Sequence, residues 1–313
     1  MNRRKFIKNT CWSAIAFSLL DPSALFAGNK RTLSITMDDP NLFKRPVMPP
    51  TDRNLAILNA LKNHNDLKAA LFVCGKHIDN PKGKKLLESW DRNGHLIGNH
   101  TYSHHHLNSP KIDSDSFIED IIRCEELINT YGSFARLFRF PFLKEGETAQ
   151  KRDRIRSFLK KRGYKTGHVT IDTSDWYIEQ RMRQRLEIDP DADVEPYRNY
   201  YIDHILREAD FYDDLCLKVL GYSVKHTLLI HHNILNAMFL SDLLLALKKA
   251  GWSLIDAVDA FDDPVFAREP DIVPAGDSII MALANEAGRF EEYLRYPGED
   301  GKYEEAGMDA LGL

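Results

Sequence analysis

Leu33-Ser34-Ile35-Thr36-Met37-Asp38-Asp39 is the stretch that first indicates the fold of this 313-residue chain. Apolar and polar side chains alternate from Leu33 to Met37, which is typical of a β-strand, and the strand ends on two carboxylates. In α/β barrels the active site lies at the C-terminal ends of the parallel strands. Asp38 and Asp39 are therefore candidate functional residues.

Strands and helices alternate along most of the chain beyond this stretch. Further strands are predicted at 70–73, 94–99, 137–140, 168–171 and 226–230. Amphipathic helices are predicted at 54–63, 84–93, 117–129, 155–161 and 241–250. This alternation implies parallel βα units, and polar side chains follow several of the strands. The sequence therefore predicts an α/β barrel with its site at the strand ends.

Two regions depart from the alternation. Residues 177–225 are rich in Arg and Tyr and are predicted to form a largely helical insert. From about residue 262 the chain becomes polar and Gly-rich, with one helix expected around 278–294. We expect a single domain over residues 28–313, with the insert and a polar C-terminal extension as additions to it.

The N-terminus has the pattern of a secretory signal peptide over residues 1–27. A basic segment containing Arg3 and Arg4 precedes an apolar stretch of about ten residues, and Ala27 offers a small residue for cleavage. That stretch is too short to cross a bilayer, which takes roughly 20 residues. We expect an exported protein, periplasmic or extracellular, without a membrane span after processing. The Arg pair resembles a twin-arginine signal, although Asn2 precedes it where Ser or Thr is usual, so the twin-arginine and general secretory routes both stay open.

Composition excludes some partners. Hydrophobic residues make up 43% and charged residues 28% of the chain, an ordinary balance for a globular protein. The formal net charge is -4, so no strongly basic surface points to nucleic acid.

A second polar cluster lies at His100 and His104. The two residues are four apart, so on a helical turn both rings would face one point. Together with a carboxylate of the acidic pair, two neutral imidazoles provide three ligands for a zinc-like ion and leave open positions. The alternative is a His-rich surface, because His105 and His106 follow directly.

Five short motifs, in order, resemble those of the polysaccharide deacetylase family, which is carbohydrate esterase family 4 or the NodB-homology domain. The resemblance covers about residues 32–260 and implies a distorted (β/α) barrel. Met37 stands where Phe is usual, and Phe142 stands where Tyr is usual. The matching segments are Thr36-Met37-Asp38-Asp39, His100-Thr101-Tyr102-Ser103-His104, Arg139-Phe140-Pro141-Phe142, Asp172-Thr173-Ser174-Asp175-Trp176 and Leu229-Ile230-His231.

The resemblance implies a role for each motif residue. Asp38 would be the general base, held by Arg139, and His231 would be the general acid, oriented by Asp175. The implied metal ligands are Asp39, His100 and His104. The implied substrate-binding residues are Pro141, Phe142 through its backbone N–H, Trp176 and Leu229.

The activity implied is metal-dependent hydrolysis of acetyl groups, foremost N-acetyl, from peptidoglycan, a chitin-like oligomer or an exopolysaccharide. The expected cofactor is one divalent ion, with zinc preferred and cobalt or nickel as alternatives. Two other functions stay open, an amide or imide hydrolase of small molecules on the same fold and a non-catalytic carbohydrate-binding relative. The sequence leaves the glycan, the acetyl linkage and the oligomeric state undetermined.

The insert joins the fourth and fifth motifs, so both of its ends start near the expected site. We expect it to form one wall or lid of the substrate groove, with a remote packing subdomain as the alternative. The tyrosines that could stack on sugar rings are Tyr177, Tyr197, Tyr200 and Tyr201.

Overall fold

The structure is a computed structural model that describes residues 30–294 and 301–313. The signal peptide predicted at residues 1–27 lies outside these ranges. Within them, no helix is both long enough and apolar enough to span a bilayer.

A parallel sheet of seven strands forms the centre of the fold, and two short strands form a separate antiparallel pair. The strands are β1 (Thr32–Asp38), β2 (Ala70–Val73), β3 (Leu96–Asn99), β4 (Phe134–Phe138), β5 (Lys144–Gly146), β6 (Lys165–Thr166), β7 (Lys225–His231), β8 (Ser253–Leu254) and β9 (Ala275–Gly276). The order across the sheet is β6-β4-β3-β2-β1-β7, with β8 also beside β1, whereas β5 pairs with β9.

Helices follow most strands and cover the outside of the sheet. They are α1 (Pro50–Asn63), α2 (Pro81–Arg92), α3 (Ser114–Ile128), α4 (Ala149–Lys161), α5 (Asp175–Ile188), α6 (Glu195–Leu220), α7 (Ile234–Lys249), α8 (Ala257–Ala260), α9 (Ile279–Ala287) and α10 (Lys302–Ala310). The βα alternation confirms the predicted fold class, a distorted (β/α) barrel.

The central strand β1 is buried on both faces. Leu33, Ile35 and Met37 are fully buried, and so are the polar Ser34 and Thr36 between them. Burial on both faces is the rule for parallel sheets covered by helices. Because side chains two apart share a face, Thr36 and Asp38 lie on the same side of β1.

Residues 165–171 close the sheet into a ring. The first of these residues form β6 beside β4, and Gly167 N–H donates to Phe138 O at 2.6 Å. Further along, Ile171 bridges to Leu228 of β7, at the other edge of the sheet. The predicted strand at 168–171 is therefore wrong, because this segment crosses from one edge to the other and pairs with β7 only at its end.

Several element boundaries also differ from the prediction. Helix α1 begins at Pro50 and not at residue 54, because proline is well tolerated in the first turn of a helix. Helix α7 begins at Ile234 and not at residue 241, since the Asn233 side chain caps it by accepting from Asn236 N–H at 2.9 Å. Strand β4 ends at Phe138.

The insert and the C-terminal extension pack on the rest of the fold. The insert forms α5 and α6, which contact each other and α7. The predicted extension contributes α9, which packs against α6, and β9, which pairs with β5. It is less solvated than its composition suggested, because the residues from Ile279 to Ala284 are buried.

Candidate active site

The register of the sheet brings the motif residues to one rim of the barrel. Asp38, the last residue of β1, lies directly beside His231, the last residue of β7. Further along the same sheet, Asn99 of β3 pairs with Phe138 of β4. These two residues immediately precede His100 and Arg139. Residues far apart in sequence therefore meet because parallel strands end at the same edge.

A cleft of about 260 Å³ opens at this rim. Eight of the eleven predicted site residues line it. The other three, Arg139, Asp175 and Pro141, are buried behind it. The lining residues are Asp38, Asp39, His100, His104, Phe140, Phe142, Leu143, Asp172, Thr173, Trp176, Leu229 and His231.

Arg139 crosses the inside of the barrel to reach Asp38. Its Nη1 donates to Asp38 Oδ1 at 2.7 Å and to Thr36 Oγ1 at 2.9 Å, and its Nε donates to Gly167 O at 2.9 Å. The guanidinium also stacks on the Phe72 ring, 3.9 Å from the ring centre. Both partners of the ion pair are buried, so the arginine fixes Oδ1 of the carboxylate, whereas Oδ2 lies 3.5 Å from His100 Nε2 at the cleft.

Asp39, His100 and His104 form a candidate metal centre. One ligand atom of each lies within 4.8 Å of the others. The Nε2 atoms of the two histidines are 3.2 Å apart, and His104 Nε2 is 3.5 Å from Asp39 Oδ2. Three donors that converge on one point with open space beside them have the geometry of a catalytic metal site.

The protonation of these groups suits metal binding. His100 Nδ1 lies 2.8 Å from the carbonyl oxygen of Arg139, so Nδ1 carries the hydrogen and Nε2 presents its lone pair. Burial lowers the pKa of His104 to about 4, so that ring is neutral at pH 7. Burial alone would raise the pKa of Asp39, but the nearby imidazoles of His104, His100 and His231 hold this pKa below its ordinary value. Asp39 Oδ1 is also buried without a hydrogen-bond partner, as expected of an atom that binds an ion.

A second cluster shares Asp39 and includes Cys74 and His77. Burial raises the pKa of the Cys74 thiol far above its ordinary value, so the sulfur keeps its hydrogen. That thiol donates to Tyr102 O at 3.4 Å. Because metals bind the thiolate, this cluster fits an ion less well than the pair of histidines does.

His231 and Asp175 form a hydrogen-bonded pair at the end of β7, next to the end of β1. His231 Nδ1 lies 2.7 Å from Asp175 Oδ1, and His231 N–H donates to Asp175 Oδ2 at 2.9 Å. Burial alone would lower the pKa of His231, but Asp175, with Asp38 and Asp39, raises it to about 9. The ring is therefore protonated at neutral pH, with Nδ1 bound to Asp175 and Nε2–H free to face the cleft.

The neighbouring His232 points the other way. It is fully buried, with Nε2 3.2 Å from Asn54 Oδ1 and its ring near Trp90. Burial lowers the pKa of His232 to about 3. Side chains alternate along a strand, so only His231 of the two reaches the cleft.

Aromatic and apolar side chains complete the cleft. Phe142 is 39% exposed, and its ring packs against both His104 and His106, with ring centres 4.6 Å and 5.1 Å apart. Trp176 and Leu229 line the cleft, as the motifs suggested. The sequence assigned no role to four other lining residues, although each lies within or beside a motif. These are Phe140, Leu143, Asp172 and Thr173.

Five residues with side chains adopt left-handed backbone conformations around the cleft. Such conformations cost free energy for residues other than glycine and often occur at functional sites. The residues and their φ angles are Asp39 (57°), Thr101 (61°), His104 (58°), Phe142 (54°) and Leu143 (55°).

The structure does not bring the insert tyrosines to the cleft. Tyr197 and Tyr201 are buried among the helices, which contradicts their predicted role as stacking platforms. Tyr177 stacks edge-on with Trp176, and Tyr200 donates to Glu304 O at 3.3 Å. None of the four lines the cleft.

Comparison with known proteins shows which family and which solved folds this chain resembles. Residues 27–167 match the family model described as polysaccharide deacetylase. A curated peptidoglycan-N-acetylglucosamine deacetylase from Bacillus cereus is 31% identical over 150 residues, which make up 47% of each chain. The chain therefore spans about half the length of this relative.

Solved structures show the same fold. A polysaccharide deacetylase from Bacillus cereus superimposes with a TM-score of 0.52 at 20% identity, covering 72% of this chain and 91% of that one. A family 4 pseudoenzyme from Bacillus anthracis gives a TM-score of 0.52 at 18% identity, covering 75% of this chain and 66% of that one.

The resemblance stated from the motifs is thus confirmed, since residues 27–167 match the polysaccharide deacetylase family model. The family match ends before the fourth and fifth motifs. The fold itself brings His231 to the cleft and Asp175 directly behind it.

Proposed function

We propose that this protein is a metal-dependent hydrolase that removes N-acetyl groups from a polysaccharide. The observation that carries the proposal is the arrangement of charged groups at one cleft. An arginine-held carboxylate, Asp38, lies next to a three-ligand candidate metal centre. An aspartate-held, protonated histidine, His231, ends the neighbouring strand beside Asp38. This combination provides a base and an acid at the same bound acyl group.

The donor set fits a zinc-like divalent ion. Two imidazole nitrogens and one carboxylate are borderline ligands of the kind that zinc prefers, and cobalt or nickel also suit them. When bound, such an ion acts as a Lewis acid toward the acetyl carbonyl and acidifies an attacking water.

Two proton transfers then fall to the protein's own side chains. Asp38, with Oδ1 held by Arg139, takes a proton from the attacking water through Oδ2. The protonated Nε2 of His231 gives its proton to the leaving nitrogen as the C–N bond breaks, which yields acetate and a free amine. Asp175 keeps Nδ1 of the ring occupied, so that the acidic hydrogen is on the nitrogen that faces the substrate.

The remaining groups bind the acyl part of the substrate. The backbone N–H of Phe142 serves as a donor to the oxyanion that forms when water attacks. Trp176 and Leu229 form the apolar wall for the acetyl methyl group. Phe142 stands where the family usually has tyrosine. The backbone donor is the same for both residues, and phenylalanine only removes one hydroxyl from the rim of the cleft.

The cleft measures about 260 Å³ and opens at the rim of the barrel. It can take a projecting acetyl group with the sugar chain lying across the opening. The relative from Bacillus cereus, named for peptidoglycan N-acetylglucosamine, makes that sugar the first to test.

The decisive experiment measures acetate release from peptidoglycan, N-acetylated chitin-like oligomers and an O-acetylated glycan, with and without a chelator. We expect release from an N-acetylated glycan, loss with the chelator and recovery with Zn²⁺ or Co²⁺. Turnover of a cyclic amide alone would assign the second function named from the sequence. Binding of a glycan by the metal-loaded protein without any acetate release would make it a non-catalytic relative.

We also propose that the protein acts outside the cytoplasm, where such a glycan is found. The support is the basic segment, the short apolar stretch and Ala27 in residues 1–27. Fractionation of the native cell should find a mature chain that begins near Gly28 outside the cytoplasmic membrane. If the twin-arginine route is used, the Arg3→Lys, Arg4→Lys double variant should accumulate as precursor.

A further inference from the structure

A buried polar chain runs from the insert to the back of the His231–Asp175 pair. It passes from Tyr201 on α6 through Asn236 on α7 to the Asp175 carboxylate. We propose that Asn236 and Tyr201 are positioning residues for the general acid, and that α6 of the insert supports the active site in this way. The inference rests on the proposed function and assigns a role to the insert.

The Asp175 carboxylate is held mainly at one oxygen. Oδ2 accepts from His231 N–H at 2.9 Å, from Asn233 Nδ2 at 2.9 Å and from Asn236 Nδ2 at 2.8 Å. Oδ1 is left to face His231 Nδ1 at 2.7 Å. Three donors on Oδ2 therefore fix the rotation of the carboxylate and direct the other oxygen at the imidazole.

Asn236 can satisfy its neighbours in only one orientation of its amide. Its Nδ2 donates to Asp175 Oδ2 and also to His231 O at 2.9 Å, and neither of these oxygens can donate. The amide oxygen must then face Tyr201. The side chain is fully buried, so a rotated amide would have no water to replace the lost hydrogen bonds.

Tyr201 completes the orientation from the insert. Its hydroxyl donates to Asn236 Oδ1 and is fully buried. Burial and the charge of Asp175 raise the pKa of Tyr201 well above its ordinary value, so it keeps the hydrogen that it donates. A donor at this position locks the amide with its NH₂ group toward the aspartate.

The same face of α6 also holds the backbone just before Asp175. His204 lies one helical turn after Tyr201, and its Nε2 accepts from Ser174 N–H at 3.0 Å. Helix α6 thus holds the main chain at Ser174 directly and the carboxylate of Asp175 through Asn236. A helix that only filled space would place apolar side chains at these two positions.

The experiment compares Tyr201→Phe, Asn236→Ala and the control Tyr197→Phe on an N-acetylated glycan. Tyr197 is buried one turn before Tyr201 on α6, so the control removes a hydroxyl from the same helix. Tyr201→Phe should lower kcat about three- to tenfold and Asn236→Ala about 10- to 100-fold, the range expected for a lost buried hydrogen bond to a neutral and a charged group. KM and metal content should stay unchanged, and Tyr197→Phe should leave kcat at the wild-type value.

Combination with His231→Ala separates positioning from general damage. In that background Asn236→Ala should lower kcat no further, because residues that act through one group are not additive. An equal further loss in the His231→Ala background, or equal kcat loss in Tyr197→Phe and Tyr201→Phe, would overturn the proposal.

A spectroscopic measurement decides the inference independently of turnover. In ¹⁵N-histidine-labelled protein, the Nδ1–H resonance of His231, identified by its loss in His231→Ala, should be shifted downfield and protected from exchange. It should exchange faster in Tyr201→Phe and Asn236→Ala and remain unchanged in Tyr197→Phe. If the wild type releases no acetate but the Nδ1–H exchanges faster in Tyr201→Phe and Asn236→Ala, the proposed function fails while the positioning role stands. Unchanged exchange in both variants overturns the positioning role.

Discussion

Asp38 and His231 lie side by side as paired residues at the ends of β1 and β7, and Asp38, after Asp175, is one of the carboxylates that raise the pKa of His231. Their neighbour His232 points into the core, although it is only one residue further along. His231→Ala should therefore lower kcat by about 10²–10⁴, the usual range for a lost general acid, with normal metal content and little change in KM.

The matched variant is His232→Ala. It removes a buried side chain that contacts Asn54, so it should lower the melting temperature while kcat of the folded protein changes little. Steady-state kinetics and thermal unfolding of both variants check this pair of outcomes. An essential His232 and a dispensable His231 would show that the acid has been assigned one residue out of register.

Metal content should depend on His104 but not on His105. His104 Nε2 faces His100 and Asp39, whereas His105 is exposed to solvent. We expect about one divalent ion per chain in the wild type and in His105→Ala, and loss of the ion in His104→Ala. Elemental analysis of the purified proteins measures this, and equal loss in both variants would contradict the ligand set.

Activity should fall at alkaline pH as His231 loses its proton. Burial opposes the charged ring, but Asp175 and the other carboxylates raise the pKa of His231 to about 9, so the acid form is present below that value. A bound divalent ion adds positive charge nearby and should move the alkaline limb of the kcat profile somewhat below 9. Asp175→Asn removes the carboxylate that does most to raise this pKa, so its alkaline limb should lie at a lower pH than that of the wild type. An alkaline limb at the same pH in both proteins would rule out His231 as the titrating acid.

Stability should decrease under mild acid because His95 is buried in its neutral form. Its Nδ1 accepts from Ala69 N–H at 3.1 Å, and burial lowers its pKa to about 4. The unfolded histidine has a pKa near 6.5, so below that pH the unfolded chain binds more protons than the folded one. The unfolding free energy should therefore fall by about 1 kcal/mol between pH 7 and 5.5 on account of this group alone.

The variant His95→Asn keeps an acceptor for Ala69 N–H but cannot titrate. Urea unfolding at pH 7 and pH 5.5 should show a smaller loss of stability for His95→Asn than for the wild type. His105→Asn, at an exposed position, should keep the wild-type pH dependence. Identical pH dependence in all three proteins would exclude His95 as a source of acid sensitivity.

The barrel and most of the cleft could be predicted because their signals are local. Each strand is a short apolar run, and Asp38, Asp39, His100 and His104 lie within or directly after such runs. The link between Asp175 and His231, 56 residues apart, came only from the family motifs, since no spacing rule connects two such distant side chains.

The ring closure and the support behind the site could not be predicted for physical reasons. Residues 165–171 pair with two different strands over short distances, so they lack the alternation of a strand buried along its whole length. Tyr201 fits the apolar face of a helix, and an Asn near a helix start suggests a cap, as at Asn233. Their hydrogen bonds depend on how α6 and α7 dock, which the sequence pattern of either helix does not specify.

The left-handed residues around the cleft create a trade-off between thermal stability and catalytic activity in this molecule. Each such conformation costs a residue with a side chain on the order of 1–3 kcal/mol, and glycine would relieve most of it. At Asp39 and His104, however, glycine would delete a candidate ligand, and at Phe142 it would remove the ring that packs against His104. A laboratory selection for survival at high temperature alone would favour glycine at these positions. The resulting protein would be more thermostable but would lack side chains that the cleft needs.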